Sequence, residues 1–160
     1  MQDESLRRQL TATESNRLSE AEVDQFLSER RIGYLGTVSR SGHAHITPIW
    51  FWHEDGTAYF LLGSGRVHLA HLRVSPKATL LVEEDLRPAH GMPAGARAVL
   101  IKGVATELTD PAEFARIKYA IDRKYLGDDA DDPGYHEVVS SDTYLMWSLP
   151  ARPAVSWKLG

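Results

Sequence analysis

Cysteine is absent from this 160-residue chain. That excludes disulfides, thiolate metal sites and cysteine nucleophiles, and leaves the redox compartment open. No apolar run approaches the roughly 20 residues that a membrane-spanning helix requires. Cations are in the minority: 18 Lys and Arg against 22 Asp and Glu give a net charge of −4. Bulk attraction to nucleic acid or to an anionic membrane is therefore not expected, and any anion site must come from local geometry. The opening Met1-Gln2-Asp3-Glu4 lacks the basic-then-apolar pattern of a secretion signal, so the expected compartment is the cytoplasm. There is no HExxH motif, no Ser-His-Asp arrangement and no internal repeat. The acidic stretch from Asp128 to Asp132 lacks the spacing and terminal glutamate of a calcium loop.

A chain of this length makes one domain and can bury a core without staples. Residues 1–17 are polar and read as a flexible arm. Ser19-Glu20-Ala21-Glu22 fits a capping box, with Leu18 and Val23 as its hydrophobic staple. Val23, Phe26 and Leu27 continue as a helical stripe that should end near Arg30-Arg31, where cations suit the dipole. Strand patterns follow: Ile32 to Val38, His43 to His53 broken by Pro48, where the strand is bent, bulged or at an edge, and Thr57 to Leu62 after the Asp55-Gly56 hairpin signal. A short helix from Val67 to Leu72 stops before Pro76. Ala78 to Glu83 is a fourth strand, Asp85 to Gly95 a loop, and Ala96 to Leu108 a long strand with a bulge at Gly103. Asp110-Pro111 opens a helix that ends near Gly127. Thr143 to Leu149 and Ala154 to Leu159 close the chain as strands. Some seven strands in hairpin-like succession, without βαβ alternation, predict a mainly β (α+β) fold: an antiparallel, closed or partly split β-barrel with peripheral helices over residues 18–160.

The stretch from Ile32 to Lys77 carries the chemistry. Thr47-Pro48-Ile49-Trp50-Phe51-Trp52 is an aromatic, apolar strand, and a later strand feeds Gly63-Ser64-Gly65-Arg66-Val67-His68 into a helix start. Helix starts carry unpaired N–H groups and positive potential, so this turn suits an anion. An arginine there is disfavoured unless an anion offsets it, although an arbitrary arginine is usually a solvated cation. Gly63-x-Gly65 is a poor dinucleotide fingerprint, because the third glycine position holds His68. The glycines also fit a turn that binds nothing, and tryptophans on a strand most often pack in a core or interface. His43 and His45 share a strand face, and His68 and His71 lie one helical turn apart. Ordinary polar histidines are favoured over a zinc site, which needs three or four convergent ligands. No metal is expected.

The order of capped helix, strand, TPIWFW strand, DG hairpin, GSGRVHLAHLRVSP and Val/Leu strand resembles the pyridoxamine 5′-phosphate oxidase-like split-barrel family. It is most similar to the subgroup that uses FMN or the deazaflavin coenzyme F-420. The terminal Val155-Ser156-Trp157-Lys158 resembles the family's closing strand. The resemblance implies a homodimer of six-stranded split barrels with two cofactor sites at its interface. Thr47, Pro48, Ile49 and Trp50 would lie beside the ring. Leu62, Gly63, Ser64, Gly65 and Arg66 would hold the phosphate, with His68 adjoining and Lys158 assisting. The family often places a lysine where this chain has His68, and a neutral imidazole brings no charge. The implied function is hydride transfer to or from a small planar unsaturated substrate, with the catalytic residues unassigned. The alternative is a non-catalytic flavin or haem carrier, since a single axial histidine, His68 or His71, can hold haem. A third reading is a structural dimer with a vestigial cleft. Neither nucleic acid nor a membrane is an expected partner.

Overall fold

Two long extended stretches change sheet part-way along, and those crossings set the architecture. The computed structural model describes residues 16–84, 96–134 and 142–158, with the backbone of 87–89 and 92–94. The expected arm over residues 1–17 lies almost wholly outside the described residues. Helix α1 (Glu20–Ser28) begins with the expected capping box: Glu22 N–H donates to Ser19 Oγ at 3.2 Å, and Ser19 N–H donates to Glu22 Oε2 at 2.7 Å. Leu18 and Val23 are both buried, as a hydrophobic staple requires. The helix ends at Ser28, earlier than Arg30-Arg31. Arg31 is drawn instead to Glu29 (2.6 Å) and Glu84 (2.8 Å), and with Arg97 it brackets the buried Phe26 ring, each guanidinium 4.8 Å from the centroid.

Strand β1 (Gly33–Val38) pairs antiparallel with β2 (Ala44–Ile49). The chain leaves the ladder at Trp50 rather than at Pro48, and resumes as β3 (Phe51–Glu54) in the other sheet. Pro48 stays in register opposite Tyr34 because β2 is an edge strand, where a missing N–H costs no ladder bond. Asp55 and Gly56, at φ 47° and 69°, make the tight turn into β4 (Thr57–Gly63). After α2 (Val67–Val74) comes β5 (Lys77–Glu83). The expected loop from Asp85 to Gly95 contains a small ladder, β6 (Arg87–Ala89) with β7 (Met92–Ala94). The long strand divides at Ala105 into β8 (Arg97–Val104) and β9 (Thr106–Leu108). Gly103 pairs regularly with Ala78, so no bulge forms there; a Cβ would lie 3.2 Å from Leu149 Cδ1, and close approach is its role.

Helix α3 (Pro111–Leu126) has Asp110 Oδ1 accepting from Ala112 and Glu113 N–H, both at 2.9 Å, and stops at Gly127 with φ 62°. The acidic stretch that follows winds as a 3-10 turn, Gly127–Asp131. Strands β10 (Tyr144–Pro150) and β11 (Ala154–Lys158) complete two antiparallel sheets, ordered β11-β8-β5-β1-β2 and β3-β4-β10-β9. The architecture is an α+β split barrel. Its core lies between the sheets, with Leu35, Phe51, Phe60, Leu80, Val99, Ile101 and Leu149 fully buried. Each such side chain contributes roughly 1.5–3 kcal/mol. Ile117, Ile121 and Tyr125 of α3 pack with Met146 as a second cluster.

Candidate functional site

The departure of the chain from β2 to β3 opens a gap between the sheets, and the turn after β4 faces it. A cavity of about 380 Å³ lies there, lined by Thr47, Pro48, Ile49, Trp50, Leu62, Gly63, Arg66 and His68 together with Leu61, Ile121 and Tyr144. The volume is within the ordinary range for small-molecule sites. Two segments separated by a hairpin in sequence thus meet at one concavity.

The turn is built for close approach. Gly65 sits at φ 80°, a conformation that side chains disfavour. A Cβ on Gly63 would fall 3.3 Å from Arg66 Cγ, so glycine lets the arginine fold back over the strand end. Not all amides of the turn are available: Ser64 N–H donates to Thr143 O (2.8 Å) and Arg66 N–H to Gly63 O (3.2 Å). The Gly65, Val67 and His68 N–H groups have no acceptor among the described residues. Ser64 and Gly65 shape the turn without lining the cavity. Arg66 is exposed yet lines the cavity, and it forms no ion pair among the described residues.

His68 lines the cavity and stands in a cluster with His45 and His71. His68 is 9% exposed, and its Nε2 is buried without a hydrogen-bond partner among the described residues. Its ring stacks with His45 (centroids 6.1 Å apart), and His45 meets His71 edge-on at 5.7 Å. His71 Nδ1 is engaged by Thr37 Oγ1 at 3.1 Å. Burial, and then the neighbouring His45, Arg66 and His71, hold His68 below the ordinary histidine value. No three His, Asp or Glu among the described residues are arranged to hold a metal ion.

The aromatic side of the cavity rests on α3. Trp50 stacks on Tyr125, centroids 4.8 Å apart and planes 1° from parallel. Tyr125 Oη donates to Arg31 O (2.6 Å) and accepts from Phe51 N–H (3.3 Å). Lys124 Nζ donates to Leu27 O (2.9 Å) and Phe51 O (3.2 Å) and lies 3.9 Å over the Phe51 ring. Burial lowers Lys124 from 10.5 to about 8 and raises Tyr125 from 10.0 to about 12. For Lys124 the unfolded chain holds the extra proton, so stability rises with pH from about 8 to 10.5. For Tyr125 the folded chain holds it, so stability falls from 10 to about 12. Urea unfolding at a series of alkaline pH values should therefore show a maximum near pH 10, roughly where the two windows overlap, each limb amounting to about 1–3 kcal/mol. Lys124→Met should flatten the rising limb and Tyr125→Phe the falling one.

Lys158 lies elsewhere in the chain. It sits on β11, at the edge of the sheet opposite β2, and its Nζ donates to Glu22 Oε1 at 3.0 Å. Glu22 is held down to about 2, first by the Ser19 backbone bond and then by Lys158. Arg97 is likewise committed, to Glu84 and Glu29. Leu61, Ile121 and Tyr144 were not legible as site residues. Tyr144 reaches the cavity only because β10 pairs it with Gly63, and Ile121 because α3 packs across β4.

A family model described as pyridoxamine 5′-phosphate oxidase matches residues 19–146. The chain belongs to the pyridoxamine 5′-phosphate oxidase family. No curated protein matches the sequence. Among solved structures, a conserved hypothetical protein from Mycobacterium tuberculosis superposes with a TM-score of 0.78 at 23% identity, covering 92% of this chain and 89% of that one. HutZ, the haem storage protein of Vibrio cholerae, gives 0.66 at 18% identity over 87% and 94%. An FAD-binding protein from Mesorhizobium loti gives 0.64 at 20% identity over 89% and 96%. At these identities the likeness establishes the split-barrel fold of the family. Among the described residues, no helix is long and apolar enough to cross a membrane.

Proposed function

We propose that the chain is a flavin- or deazaflavin-dependent oxidoreductase that binds FMN or coenzyme F-420 in this cavity. The observation that carries the reading is the convergence of the Thr47–Trp50 segment, Gly63, Arg66 and His68 on one concavity. The residues present fit a phosphorylated ring system. The Arg66 guanidinium and the His68 amide offer donors to an anion at the cavity, beside a turn whose Gly65 and Val67 amides are also unpaired among the described residues. Pro48, Ile49 and Trp50 offer an apolar wall stiffened by Tyr125. When bound, the cofactor supplies the hydride chemistry. Hydride transfer to or from a planar unsaturated substrate needs orientation and exclusion of water more than an acid or base, which agrees with the apolar lining. Titrating the purified protein with FMN, coenzyme F-420 and haemin, followed by absorbance, tests the reading. Saturable binding of either flavin supports it, and binding of neither overturns it.

A haem carrier is the second reading, favoured by the buried, unpartnered Nε2 of His68, a residue that lines the cavity. It requires a Soret band with haemin that His68→Ala abolishes.

The assembly we propose is a homodimer through the outer face of the five-stranded sheet. Pro48, Tyr34, Leu81, Leu100 and Val155 follow one another in register across all five strands. Tyr34 and Val155 are exposed, and Ile46 beside them is 68% exposed. An apolar depression of about 430 Å³ lies among Tyr34, Ile46, Leu81 and Leu100. Contiguous apolar surface of this kind favours association, and Pro48 joins it to the cavity, which suits a second copy more than an unrelated partner. Light scattering should find a dimer, and Leu100→Glu should shift it to monomer; a wild-type monomer at tens of micromolar would refute the assembly. Any role for Lys158 at the cofactor then requires the partner subunit, because in its own chain it lies at the far edge of the sheet.

A further inference from the structure

His68 stands out because the site leaves its buried ring nitrogen without an acceptor. In the protein alone, a proton on Nε2 would face His45 from β2, His71 from its own helix and Arg66 from the turn, with Tyr144 of β10 also at the cavity. No carboxylate lines the cavity among the described residues. The imidazole therefore rests neutral, and burial reinforces this. A phosphate brought to Arg66 changes both conditions, since it provides an acceptor and a countercharge in the cavity that His68 also lines.

We infer that His68 makes phosphate capture proton-coupled: docking of a dianionic phosphate monoester draws one proton from solvent onto the imidazole, so that binding tightens as pH falls. The inference rests on the flavin reading above and adds a recognition rule to it. A lysine at this position would be charged throughout the physiological range and a glutamine never, so histidine alone ties affinity to pH here. The sign follows from linkage. The complex holds more protons than the free protein, so Kd rises with pH across the interval between the free and bound histidine values and is flat outside it.

The test uses FMN, and riboflavin as the same ring without phosphate, in phosphate-free buffers from pH 6.5 to 8.5. Over this range the FMN phosphate is mainly dianionic, its second pKa being near 6. The FMN Kd should rise about tenfold from pH 6.5 to 8.5, the scale of one charge-assisted hydrogen bond gained or lost. The riboflavin Kd should stay constant. Calorimetry in two buffers of different ionisation enthalpy should show proton uptake with FMN and none with riboflavin, a readout that needs no variant. His68→Lys should bind FMN tightly with no pH slope, and His68→Gln weakly with no slope. An FMN Kd independent of pH, or a slope that persists in His68→Gln, overturns the inference and leaves the flavin reading standing. Absence of FMN binding at every pH overturns the inference, and the flavin reading falls with it only if coenzyme F-420 also fails to bind.

Discussion

Arg66→Ala is expected to raise the Kd for FMN roughly 10- to 100-fold, because a hydrogen bond to a charged group contributes about 1.5–3 kcal/mol. Arg66 has little structural role. It is exposed, makes no ion pair among the described residues, and caps α2 without a side-chain bond. Its removal leaves no buried group stranded, so unfolding stability should change by no more than about 0.5 kcal/mol. Riboflavin supplies the internal control, since its affinity should not respond. Arg66→Lys keeps the charge but loses the planar fork and should fall between the two. Equal FMN titrations for wild type and Arg66→Ala would remove the phosphate assignment.

Phe51→Ala should have the largest effect on stability, about 3–5 kcal/mol by urea unfolding, the range for deleting a buried phenyl ring. Phe51 is fully buried, begins β3 immediately after the sheet crossing, and has the Lys124 ammonium over its ring. Its N–H and C=O tie Tyr125 and Lys124 to the segment that carries Trp50. Losing the ring opens a cavity where the core meets the segment that carries Trp50, and leaves the half-buried Lys124 ammonium with fewer contacts. Against a typical total of about 5–15 kcal/mol, such a loss puts the fold itself at risk. Phe51→Leu, which keeps most of the volume, should cost about 1 kcal/mol. A cost below 1 kcal/mol for the alanine variant would show that β3 is not the support described here.

Much of this was readable from local chemistry. The Ser19–Glu22 box, the Asp110-Pro111 helix start, the Gly127 stop and the Asp55-Gly56 turn each depend on a few adjacent residues, and each forms as expected. The glycine turn with Arg66 was likewise visible, because a strand that meets a helix through small residues has a local signature. Errors arose where the outcome depends on distant partners. The chain changes sheet at Trp50, while Pro48 takes the edge placement, one of the three expected of it. The β8–β9 division at Ala105 follows from which sheet each half joins. Arg31, expected at a helix end, is bound instead with Arg97 to Glu84, which follows β5.

The order of residues was enough for the helix starts, the tight turns, the family and the segments around Pro48 and Arg66, since turns, caps and alternation act over a few residues. Tertiary structure alone decided that His68 keeps an unsatisfied nitrogen among other imidazoles, that Trp50 rests on Tyr125, and that Lys158 belongs to Glu22. The reason is physical: burial and pairing depend on through-space neighbours contributed by other sheets and helices, which no local pattern encodes.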